Sequence, residues 1–132
     1  MLDGPYVRYQ ATTANTRGIF SGVFALVNGL YFEGRLSDEQ AALRREIHDW
    51  FNANLTNPAD VDPRVFDRAR NPVTLSWFKA SARACLAKLP RYLTILDEHG
   101  VGYERVRSHA PGRIVYEDEL QVVVAPSVRE II

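Results

Sequence analysis

The chain of 132 residues has one cysteine, one methionine and three histidines, and its formal charge is zero. A single cysteine excludes an internal disulfide framework and any metal site built on paired thiolates. Cys85 therefore reads as a buried thiol inside a helix. No two of His48, His99 and His109 share the short spacing that puts two ligands on one helical face, so neither a metal nor a cofactor is expected. Sixteen basic residues balance sixteen acidic ones, and this argues against nucleic acid as a partner, because neutralising its backbone takes a basic excess. Long apolar runs are missing too. Residues 19–32 form the longest, broken by Ser21, Gly22, Asn28 and Gly29, and it is too short to cross a bilayer. The first residues lack a basic stretch followed by an apolar one, so the expectation is a cytoplasmic protein without a membrane partner. No serine stands in a nucleophile elbow.

What the chain does have is material for a core. Apolar residues make up 46% of it and aromatics 11%, which suits one compact domain over residues 1–132. Residues 6–12 are rich in β-formers and predict a first strand. Phe20, Val23, Phe24, Val27, Leu30 and Tyr31 then recur on one helical face, with Gly34 placed to end the helix. Ser37 and Gln40 form a capping box that opens a second helix carrying Leu43, Ile47, Trp50 and Phe51.

Three X-Pro bonds make residues 57–72 a structured loop, with one short helical turn expected after Asp62. A third helix is expected from Thr74 or Ser76 to Leu89, bearing Trp77, Phe78, Ala82, Cys85 and Leu86. Pro90 should restart it as a fourth segment that closes at Gly100. After that the period changes to two. Residues 102–108, 113–117 and 120–125 read as strands, the last two joined by a tight turn at Asp118 and Glu119. The predicted class is α+β: about four helices on a mainly antiparallel sheet of about four strands, one N-terminal and three C-terminal.

Gly18, Gly22, Ala25 and Gly29 fall in a stripe down the first helix. Interior glycine weakens a helix, so the stripe predicts a central, glycine-notched helix approached closely by another backbone. At its start, Thr16, Arg17 and Gly18 offer free amides, a helix dipole and a guanidinium to an anion. Arg105 and Arg107 alternate on one strand and Arg113 begins the next, so together they form a candidate basic patch for phosphate or carboxylate. His109, in a loop beside that patch, is the candidate general acid or base, with Asp118 as a second proton carrier. Residues 120–125 are uncharged and strongly β-forming. They lie either inside the sheet or at an edge that pairs with a second copy.

Two function classes follow. The first is a small binding or regulatory module without catalytic machinery, forming a homodimer or holding a protein partner through a strand edge. The second is a small enzyme or ligand-binding protein that takes a small anionic ligand at the N-terminus of the first helix. Whether the chain is an enzyme stays open.

Overall fold

Alternating apolar and polar side chains make Tyr6–Ala11 a strand, β1. The computed structural model describes residues 4–126 and sets β1 beside four others: β2 (Leu75–Lys79), β3 (Tyr103–Ser108), β4 (Arg113–Glu117) and β5 (Gln121–Ala125). They form one sheet in the order β3-β1-β2-β5-β4, every neighbouring pair antiparallel. Three helices have ten or more residues: α1 (Val23–Phe32), α2 (Asp38–Asn54) and α5 (Leu89–Glu98). Two are short, α3 (Pro58–Val61) and α4 (Arg83–Ala87). The α+β class and the three C-terminal strands are as expected. No helix among the described residues is long and apolar enough to cross a membrane.

Three expectations are corrected. The segment expected to open a third helix is β2, the middle strand of five. Its two faces are both covered: Leu75 and Trp77 join one apolar cluster and Phe78 the other. A strand with apolar side chains on both faces shows no clean alternation, and a stretch of five residues cannot be told from a helix by period. The helix starts later, at Arg83, and Pro90 sits in the first turn of α5, where its missing N–H is tolerated.

The glycine stripe is the second correction. α1 begins only at Val23, with Gly22 as its N-cap and Gly18 in the turn before it, at φ 76°. Ala25 and Gly29 face solvent, and a Cβ on Gly29 would meet nothing within 4 Å. The buried face of α1 is Val23, Val27 and Leu30. The helix at the centre is α5, which buries Leu89, Tyr92, Leu93, Ile95 and Leu96. Third, the proline-rich loop holds a short helix that was not expected, α3, capped by Asn57, whose Oδ1 accepts from Ala59 N at 3.1 Å. The turn expected after Asp62 does form over residues 63–66, with Asp62 Oδ1 accepting from Arg64 N at 3.0 Å and Asp62 O from Val65 N at 3.1 Å. The capping box of α2 forms as read, with Gln40 N donating to Ser37 Oγ at 3.1 Å and Ser37 N to Gln40 Oε1 at 3.0 Å.

The uncharged β5 lies between β2 and β4, so it is interior and the sheet's edges are β3 and β4. One junction inside the sheet is thin. β1 and β2 pair only at Tyr6 with Lys79 and Val7 with Phe78. Beyond that point β1 turns to the chain just before α1: Gln10 bridges to Gly22, and Ala11 N donates to Ser21 O at 2.8 Å. The two strands part, and the split between them positions the site.

Candidate functional site

A cleft of about 850 Å³ opens at this split. Its walls are the first turn of α1 (Gly22 to Ala25), the later half of α2 (His48, Phe51, Asn52, Leu55) and the loop through Phe66, Arg68, Pro72 and Val73. Arg8, Tyr9, Trp77 and Phe78 line it from the sheet, and Asn15 and Arg17 from the loop before α1. Aspartate and glutamate are absent from the lining among the described residues, whereas three arginines are present. Phe24 packs its ring 5.2 Å from Phe51 and 5.1 Å from Tyr92, so one wall is aromatic and well supported. A cavity of this size with apolar walls and a few convergent polar groups is the usual form of a small-molecule site.

Arg8 is the unusual group. It stands on β1 and is only 7% exposed. Its Nη1 donates to Ser76 O at 2.8 Å, its Nη2 to Phe20 O at 3.0 Å and its Nε to Gln10 Oε1 at 3.1 Å. The guanidinium thus bridges the two segments that diverge at the split. No carboxylate forms an ion pair with it among the described residues. Burial pulls its pKa down to about 10, yet it stays charged at neutral pH. A buried cation held only by carbonyl dipoles is incompletely compensated.

Two further groups line the same space. The N-cap of α1 is Gly22, which has no side chain to satisfy the first-turn amides, and the positive end of the helix dipole lies there. A Cβ at Gly22 would come within 3.3 Å of Arg8 Nη2, so glycine lets helix and guanidinium approach. Trp77 is 9% exposed, and its indole N–H is buried without a hydrogen-bond partner among the described residues. His48 sits on α2 with Nε2 2.8 Å from the Tyr92 hydroxyl. Burial first, then the charge of Arg44, pulls the imidazole below its ordinary value, while Asp49 opposes them.

Of the residues singled out in the sequence, Arg17 reaches the cleft; Thr16 and Gly18 share its turn but do not line it. Their turn is fastened by Asn15, whose Oδ1 accepts from the amides of Arg17 and Ile19 at 2.9 and 3.0 Å. It precedes α1 by several residues, so the helix start expected at Thr16-Arg17-Gly18 is corrected to Gly22. The basic patch does not assemble, because β3 and β4 lie at opposite edges of the sheet. Arg105 is exposed on β3, and Arg107 donates from Nε and Nη2 to Gly4 O at 2.9 and 2.7 Å. Arg113 donates to Asn71 Oδ1 at 3.1 Å, beside a second, shallower hollow with Asp62, Arg64 and Arg70.

His109 is exposed after β3, away from the cleft. Asp118 organises the β4–β5 turn: its Oδ1 accepts from Leu120 N and Gln121 N, and its Oδ2 from Tyr116 Oη and Gln121 Nε2. Burial works to raise its pKa, but these hydrogen bonds hold the carboxyl below the usual range. No group of three histidine, cysteine, aspartate or glutamate side chains suited to a metal occurs among the described residues.

Arg8, Trp77 and His48 were not singled out by their pattern. Arg8 alternates with apolar neighbours as any solvent-facing strand residue does, and no local signal reports that the chain before α1 covers it. No family model matches this chain, no curated protein matches its sequence, and no solved structure matches its fold.

Proposed function

We propose that this protein binds a small anionic ligand with an apolar body in the cleft between β1, β2, α1 and α2. The observation that carries the reading is Arg8: a nearly covered cation that, among the described residues, has no carboxylate partner and lines a cavity with arginines and no acidic side chain. Arg17 and Arg68 are exposed at the same cleft and add a positive field that draws anions in. The uncapped first turn of α1 favours the same sign of charge. Phe24, Phe51, Leu55 and Phe66 offer apolar surface for the rest of the ligand.

The rival reading, self-association through a strand edge, has less support. The valine-rich strand is enclosed, the β3 edge carries Glu104 and Arg105, and β4 is irregular between Ile114 and Tyr116. Charges and bulges are how sheet edges resist pairing.

A thermal-shift series tests the proposal, with carboxylates and phosphates on aromatic and alkyl bodies and their neutral alcohols as controls. Anions near saturation should raise the melting point, since anything that binds only the folded state stabilises it. Arg17→Ala and Arg68→Ala, both at exposed positions, should fold normally and weaken binding about two- to fivefold each, the scale of an exposed charge pair. If no anion raises the melting point, the cleft is not a ligand site.

A further inference from the structure

We propose that the ligand's charged end is a carboxylate, seated at the split between β1 and β2 on the Arg8 guanidinium and the Trp77 indole N–H. The inference rests on the ligand-binding reading above and names the head group that the site takes.

The two side chains belong together by register. Val7 and Phe78 are the last paired positions of β1 and β2; one residue further along each strand are Arg8 and Trp77. Side chains alternate across a sheet, so this pair shares one face where the strands part. Both are about nine-tenths buried and both line the cleft. Each lacks something. Of the five N–H groups of Arg8, three are engaged by Gln10, Ser76 and Phe20, which leaves one on each terminal nitrogen. Trp77 offers one donor, and nothing among the described residues receives it. Buried donors without acceptors are rare in native structures and call for an explanation.

A carboxylate supplies what is missing. Its two oxygens present about four acceptor sites, enough for two guanidinium N–H groups and an indole N–H. Its single negative charge also matches the one buried cation. A phosphate monoester does not match as well, because it carries nearly two negative charges at neutral pH. The remaining arginines of the cleft, Arg17 and Arg68, are exposed, so the second charge would be desolvated without a buried partner. The α1 first turn adds a partial positive charge, not a full one.

Calorimetry on the intact protein with naphthoate, naphthyl phosphate and naphthol tests this, the three probes sharing one body. Naphthoate should bind about tenfold more tightly than either of the others, the scale of one charge-assisted hydrogen-bond set. Trp77→Phe deletes the N–H together with the five-membered ring. It should weaken naphthoate about fivefold, compared at a temperature where both proteins are fully folded, because the smaller ring leaves a cavity that lowers the melting point. The chain has two tryptophans, so its spectrum holds two indole N–H signals, which Trp50→Phe also assigns. Naphthoate should move the Trp77 signal downfield and leave that of Trp50 in place. If naphthyl phosphate binds as tightly, if Trp77→Phe binds naphthoate unchanged, or if the Trp77 signal stays still, the carboxylate seat is overturned while the cleft reading stands. If none of the three probes binds, both fall.

Discussion

His48 shows how one side chain can tie the cleft wall to the core. Tyr92 is fully buried, and among the described residues its hydroxyl has one partner, His48 Nε2 at 2.8 Å. Burial also pushes the Tyr92 phenol well above its ordinary value and keeps it protonated. Because the folded state lowers the His48 pKa from 6.5, the unfolded chain takes up a proton first as the medium is acidified. The stabilisation is therefore present in full above that value and is lost as pH falls through the lower folded one. Urea midpoints should drop as pH falls below about 6.5, and His48→Gln, which retains an acceptor but cannot titrate, should flatten that dependence. Equal slopes for the two proteins would show that another group is responsible. The lone thiol is simpler: Cys85 is 1% exposed, and burial raises its pKa, with Asp118 adding to the effect, so it stays protonated.

Helices and strands differ in how openly the sequence declares them. The Ser37–Gln40 box and the Leu43–Ile47–Phe51 spacing announce α2, because an amphipathic surface helix repeats its pattern over many residues. The Asp118 turn and the β4–β5 pairing were equally legible, being local. β2 was not, since its apolar run reflects cover on both faces, which distant segments provide. Of the site, Arg17 was found because it stands in a glycine-marked loop, whereas Arg8 and Trp77 become special only through pairing at long range.

The glycines of α1 give the sharpest check at this scale. Position 29 is interior to the helix and open to solvent, so Gly29→Ala removes a propensity penalty of about 1 kcal/mol. The melting point should rise by about 3–5 °C for a chain of this size. A fall would restore the notched-helix picture. Ser37→Ala should do the opposite, losing about 1 kcal/mol with the cap, measured as a lower urea midpoint.

Taken whole, the sheet is two units joined by a narrow seam. β1 pairs with β3 at six register positions and β2 with β5 at four, but β1 and β2 share only two. Arg8 spans the place where pairing stops, donating to carbonyls on both sides. Local opening is governed by how few contacts must break, so the seam, and not the β4–β5 pair, should open first. Arg8→Gln leaves Ser76 O and Phe20 O without their donor, a loss of about 1–3 kcal/mol. Amide exchange should then quicken around residues 6–8 and 76–79, while β4 and β5 keep their protection relative to one another. Naphthoate should slow the same amides in the unaltered protein, because a ligand seated across the split must be released before it opens. Equal acceleration in all five strands of Arg8→Gln would mean that the guanidinium supports the fold at large, and the seam would lose its standing as the hinge of the binding site.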